Sequence, residues 1–294
     1  MMNSKHHIDN KNLPIVEYCI DELLPHSLTS APAVSTRKED LVWAAVGMLV
    51  HHIESFTDSL VVTDGERPIG MLGGFEIIDQ VSKNPTSSLF YNTTVEKIMN
   101  NNLIITSKQT KLSDLLNLWQ ERRRAFAIIP NQYHGYSAIS PRKILEIGAL
   151  CKTDVKVSEI PKKKAVTFKR DDTVGSIITS MFENRTRRLV RENTKLFISD
   201  RIIIQKIIRD LNYLRGVDNF FDMKAGIFKL EKAKAISKDS TYPQACKVML
   251  RMLHPYMMAG DQVISPWDLI MFLKSDFLIE YNWAKQENLY SVKT

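Results

Sequence analysis

Apolar residues recur along this chain at i, i+3, i+4 and i+7 in four separate windows, the spacing that places four side chains on one helical face. The sets are Leu41, Ala44, Ala45 and Met48; Leu112, Leu115, Leu116 and Trp119; Val174, Ile177, Ile178 and Met181; and Tyr242, Ala245, Cys246 and Met249. A few residues before each stands a short β-prone segment closed by a hydroxyl: Ala33-Val34-Ser35, Ile104-Ile105-Thr106, Ala165-Val166-Thr167 and Ala235-Ile236-Ser237. These hydroxyl positions are 71, 61 and 70 residues apart, so one supersecondary unit recurs in register.

After each helix come two short apolar stretches around a turn, which read as paired strands. They are Leu60–Val62 with Ile69–Leu72, Phe126–Ile129 with Tyr136–Ile139, Leu189-Val190 with Leu196–Ile198, and Tyr256–Met258 with Gln262–Ile264. Turn residues separate them at Asp64-Gly65, Asn131, Glu192-Asn193 and Gly260-Asp261. A second helix is predicted directly after the last strand, at Gly73–Glu76, Ser140–Lys143, Ser199–Ile202 and Ser265–Asp268. Three of these starts carry Ser, and two follow it with Pro, which is helix N-terminus chemistry.

Each repeat therefore reads β-α-β-β-α, an α/β (α+β) chain of four such units. A thin sheet with helices on one side must bury its other face, so the repeats are expected to pair. The expected organisation is a polar tail over 1–12, repeats one and two over 13–150, repeats three and four over 151–276, and an aromatic tail over 277–294.

The 294 residues, 44% hydrophobic and 25% charged, match an ordinary globular protein of about two domains rather than a disordered one. Forty Lys and Arg against 33 Asp and Glu leave a charge of +7, which favours phosphates, anionic ligands or nucleic acid as partners. Three scattered cysteines, Cys19, Cys151 and Cys246, form no CxxC and argue against a disulfide framework or zinc site. The polar start is expected to be a tail rather than a signal peptide or anchor, and the longest apolar run, Leu41–Val50, is half the ~20 residues a membrane helix needs. A soluble, cytoplasmic protein without membrane association is expected. HExxH, GxSxG, phosphate-loop and kinase motifs are missing from the sequence, so no catalytic residue and no metal is assigned.

The recurring unit resembles the cystathionine-β-synthase (CBS) domain, and four copies resemble two tandem CBS pairs, or Bateman modules. The features that carry this are the hydroxyl-ended leading segment, the helix opening Thr173-Val174, the strand pair, and a closing strand followed by Ser/Thr-x-x-Asp. The resemblance spans roughly Leu24 to Ser275. It implies a non-catalytic regulatory protein that needs no cofactor and binds an adenosyl ligand in the cleft between paired repeats, as in energy sensing. It also implies a homodimer.

Carried over residue by residue, only repeat four keeps the full closing signature, Ser265 and Asp268. An Asp in the first helical turn can accept hydrogen bonds from both hydroxyls of a ribose, while the Ser and free N–H groups address phosphate. Adenine is expected beside Ile236 and Ser237. Repeat one offers Glu76 at the acidic position but Gly73 for the hydroxyl; repeats two and three have Lys143 and Ile202 in place of the acid. The family's basic pair before the first closing strand corresponds to Arg187 and Arg188 in repeat three, with Arg124 its nearest match in repeat two. AMP, ADP or ATP is favoured over S-adenosylmethionine, whose sulfonium is cationic, with a cyclic dinucleotide a further alternative.

Structural readings stand beside these. Ser265–Asp268 can be a simple capping box, and the arginine cluster Arg185, Arg187, Arg188 and Arg191 a solvated or dimer-facing strand edge. Arg122–Arg124 reads as dipole compensation at a helix end, and Lys162–Lys164 as a solvated loop. With no effector domain expected, the regulated partner is expected to be a separate protein or nucleic acid, or the tail from Phe277 to Thr294, whose aromatics Phe277, Tyr281, Trp283 and Tyr290 can dock a surface. A basic nucleic-acid-binding protein and a ligand-free dimerisation scaffold are the rival functions.

Overall fold

The computed structural model describes residues 13–52, 59–133, 135–209, 220–275, 277, 279–283 and 286. The polar tail over 1–12 and Tyr290 lie outside the described residues. Two short helices, α1 (Ile20–Leu23) and α2 (His26–Ser30), precede repeat one, which runs β1 (Ser35–Arg37), α3 (Val42–His51), β2 (Ser59–Asp64), β3 (Arg67–Gly73) and α4 (Gly74–Lys83). After α5 (Ser87–Asn92), repeat two contributes α6 (Leu112–Arg122), β4 (Ala127–Pro130), β5 (Tyr136–Ile139) and α7 (Pro141–Leu150), its leading segment held by a parallel bridge from Ile105 to Ile128. Following β6 (Cys151–Lys152) and β7 (Lys163–Lys164), repeat three comprises β8 (Thr167–Phe168), α8 (Val174–Glu183), β9 (Arg188–Arg191), β10 (Leu196–Ser199) and α9 (Asp200–Arg209). Then β11 (Glu231–Lys232) leads into repeat four: β12 (Lys234–Ala235), α10 (Tyr242–Leu250), β13 (Met257–Ala259), β14 (Gln262–Ile264), α11 (Pro266–Phe272), with β15 (Glu280–Tyr281) beyond it.

All four repeats share one topology. The leading segment runs parallel to the first strand of a hairpin, as in β1 with β2, β8 with β9 and β12 with β13, and the hairpin itself is antiparallel. Repeats three and four also exchange strands: β7 joins the sheet of repeat four beside β14, while β11 joins the sheet of repeat three beside β10. Lys163 and Lys164 thus form a strand where a loop was expected, although their side chains are solvent-exposed. Lys162 folds back to donate to the carbonyls of Val157, Ile160 and Ser158.

Sheets meet within the sequential pairs, whereas helices meet between them. Val61 and Met71 of repeat one pack on Phe126 and Ile128 of repeat two. The larger cores cross the sequence: helices of repeat one pack with those of repeat three, and helices of repeat two with those of repeat four. In three repeats the expected stripe is the buried one, all four residues being inaccessible in α6 and α10 and nearly so in α8. In α3 the stripe is shifted by one residue, to Val42, Ala45, Val46 and Leu49, with Leu41 exposed as the extended N-cap. A helix apolar on nearly every side does not specify its own inward face, and here packing against α9 selects it.

The aromatic tail is not a free docking surface in its described part. Tyr281 is buried, its hydroxyl donating to the Leu23 carbonyl at 2.8 Å, and Trp283 packs edge-on against Tyr18 and Tyr281. Of the described aromatics there, only Phe277 is exposed. Among the described residues no helix is long and apolar enough to cross a membrane.

Candidate functional site

Register decides which side chains share an end of each sheet. In repeat three, Arg188 pairs with Ser199, so Arg187 and Arg188 stand beside the start of α9. In repeat four, Met257 pairs with Ile264, which places Tyr256 beside Ser265 and the start of α11. The two ends come together between the repeats, where the Arg188 guanidinium lies 5.4 Å from the centroid of the Tyr256 ring. Tyr256 is buried and packed on Phe197 at 5.1 Å. Burial pushes its hydroxyl up to about 12, with Arg188 opposing and Asp268 reinforcing the shift. The Tyr256 hydroxyl thus feels both a cation of repeat three and an acid of repeat four.

The two arginines of the basic pair differ in state. Arg187 is committed to Asp200, a 96%-buried carboxylate, through Nε and Nη2, both 2.6 Å from Oδ2. Burial acts to raise the Asp200 carboxyl, but Arg187 and Arg188 outweigh it and hold it below the usual range. Arg188, half-buried, has no ion-pair partner among the described residues; the Tyr256 ring is its contact.

Ser265 and Asp268 form the capping box, with Asp268 Oδ2 accepting from Ser265 N at 2.8 Å and from Ser265 Oγ at 2.7 Å. Asp268 Oδ1 has no hydrogen-bond donor among the described residues. Ile236 and Ser237 are not brought to this acid. Parallel pairing sets Ala235 beside Met258, so Ile236 is level with Ala259 at the hairpin turn, the end of the sheet away from Ser265. Ile236 packs toward the helical core and Ser237 Oγ accepts from Asp239 N. The backbone that reaches the Asp268 end is Lys234, whose N–H donates to the Tyr256 carbonyl at 3.2 Å.

The remaining acidic positions are closed. Glu76 is buried and accepts from Gly73 N at 2.9 Å and from Arg124 Nη2 at 2.8 Å, while Arg124 Nη2 also donates to Ser59 Oγ. Arg124 thus spans repeats one and two rather than serving the dipole of its own helix. In repeat two, Lys143 is turned inward to the Leu28 carbonyl, and burial lowers its ammonium to about 8. Ile202 of repeat three is a buried core residue.

Sequence reasoning missed Tyr256 and Asp200. Tyr256 was legible by position, since it stands just before β13 as Arg187 stands just before β9. Asp200 follows Ser199 directly, outside the Ser-x-x-Asp spacing, and its role depends on repeat one. A Cβ on Gly74, the first residue of α4, would collide with Asp200 Oδ2 and come within 3.0 Å of Arg187 Nη2. Among the described residues no group of three His, Cys, Asp or Glu side chains is placed to hold a metal ion.

No protein-family profile and no curated protein matches the sequence. Solved structures do. A Methanocaldococcus jannaschii protein, described as a candidate archaeal homologue of g-AMPK, is similar over 85% of this chain and 99% of its own, with 12% identity and a TM-score of 0.72. A conserved Pyrococcus horikoshii protein matches over 85% of this chain and 99% of its own, with 10% identity and a TM-score of 0.52. A CBS-domain containing protein of Agrobacterium tumefaciens covers 48% of this chain and 98% of its own, with 15% identity and a TM-score of 0.39. With four β-α-β-β-α units, paired through their sheets and joined through their helices, the chain is a four-repeat protein of the CBS-domain fold.

Proposed function

We propose that this protein is a non-catalytic regulatory sensor that binds an adenine nucleotide between repeats three and four and signals to a separate partner. The observation that carries this is Arg188: a guanidinium held over the ring of Tyr256, in no ion pair among the described residues, while the Tyr256 hydroxyl also feels Asp268. A guanidinium so placed suits phosphate, because it stays charged and presents paired donors. The open Oδ1 of Asp268 suits a ribose hydroxyl. AMP, ADP and ATP fit this pairing better than S-adenosylmethionine, whose sulfonium would face Arg188.

The first pair is read as scaffold rather than sensor. Glu76 already has Arg124 as counter-ion, and Lys143 replaces the acid of repeat two, which favours one nucleotide per chain. Ligand binding would bias how the two pairs pack, through the α4 start that abuts Asp200 and Arg187.

A thermal-shift panel of AMP, ADP, ATP, S-adenosylmethionine and a cyclic dinucleotide on the wild type and on Asp268→Ala tests the reading, since a native-state ligand raises apparent stability. A shift with adenine nucleotides that is lost in the variant is expected. No shift with any compound overturns it in favour of a ligand-free scaffold, and equal shifts in both proteins overturn the placement of the ligand at Asp268.

A further inference from the structure

At the far end of the same two sheets, the β9–β10 and β13–β14 turns flank an open groove of about 650 Å³. This volume is within the range of small-molecule sites, roughly 300–1,000 Å³. Four cationic residues line it: Lys164 from β7, Arg191 from β9, Lys195 from the β9–β10 turn and Lys232 from β11. Asp261 is the single acid on its wall. None of the four cations pairs with a carboxylate among the described residues.

The strand exchange produces this convergence. Lys164 and Lys232 lie on β7 and β11, each paired with the other repeat's hairpin, at Gln262 and Leu196 respectively. Residues more than 60 positions apart are thereby set on one groove. In the first pair, by contrast, Asp64 at the β2–β3 turn takes up Lys38 at 2.8 Å. Four like charges around one groove repel each other, and a multiply charged anion relieves that repulsion. Asn193, at positive φ in the turn, adds an amide to the wall. No aromatic ring lines the groove, so it has nothing on which to stack a base.

We propose that this outer groove is a second ligand site, for a polyphosphate group, recognised by charge without reading a nucleobase. It is separate from the cleft at Arg188, since Arg188 and Arg191 are the two ends of β9, roughly 10 Å apart at the rise of a strand.

Inorganic tripolyphosphate, titrated calorimetrically into the full chain, is the probe. The comparison is with a Lys195→Ala, Lys232→Ala double variant and with Arg188→Ala; the two lysines are exposed, so their loss leaves the core untouched. Binding that weakens at least tenfold in the lysine variant, and changes less than twofold in Arg188→Ala, is the expected result. ATP run in parallel separates the two sites, because its adenine-dependent binding follows Arg188. No binding of tripolyphosphate, equal binding in the lysine variant, or loss in Arg188→Ala overturns the proposal. In each of those cases the lysines are solvated strand-edge charges or the anion belongs in the inner cleft.

Discussion

The Arg188 guanidinium lies over the ring of Tyr256, 5.4 Å from its centroid, and joins two repeats whose sequences place these residues 68 positions apart. Arg187, one residue earlier, is neutralised by Asp200. Two adjacent arginines thus differ in their contacts, one holding the start of α9 and one lying on the aromatic ring of the neighbouring repeat.

For Arg188→Ala, the expected loss is at least tenfold in AMP affinity, about 1.4 kcal/mol, with adenosine affinity changed much less. Calorimetric titration of both ligands reads the difference. Equal weakening of both would mean that Arg188 shapes the cleft without touching phosphate.

Gly74→Ala should destabilise the protein by about 1–3 kcal/mol, because the added methyl meets the Asp200–Arg187 pair, which cannot yield without breaking. Urea denaturation measures it. An unchanged midpoint would show that the α4 start moves freely away from α9.

Removal of Glu76 takes from Arg124 its buried Glu76 counter-ion, the Arg124 side chain being 17% exposed, and the expected cost of Glu76→Ala is about 3–5 kcal/mol. A double-mutant cycle with Arg124→Met checks the assignment: the double variant should recover much of that loss. Additive losses would place the effect elsewhere.

Lys143→Met carries a pH signature. Burial lowers the folded-state ammonium to about 8 while the unfolded value stays near 10.5, so below pH 8 the protein bears the full cost of a buried charge. Between pH 8 and 10.5 the folded state has lost that proton and the unfolded state retains it, so wild-type stability rises through this window relative to the variant. The variant should be more stable by about 1 kcal/mol at pH 7, a margin that shrinks toward pH 10. Parallel denaturation curves at the two pH values test it, and a pH-independent difference would contradict the buried-charge account.

The four-fold β-α-β-β-α order, the strand pairs, and the helix starts at Ser140-Pro141 and Ser265-Pro266 were all legible from the chain alone. These features follow from neighbours one to eight residues apart, where periodicity, turn residues and caps act within a single element. The stripes of α6, α8 and α10 were readable for the same reason, while α3, apolar nearly all round, left its inward face open. Tertiary structure decided the rest: the helical cores shared by repeats one and three and by repeats two and four, and the seating of Tyr281 against Leu23. It alone set Arg188 on Tyr256, gave Glu76 to Arg124, and carried Ile236 to the opposite end of the sheet from Asp268. Those relations depend on strand register and on how layers stack, and a one-residue change in either alters which side chains meet without altering any local pattern.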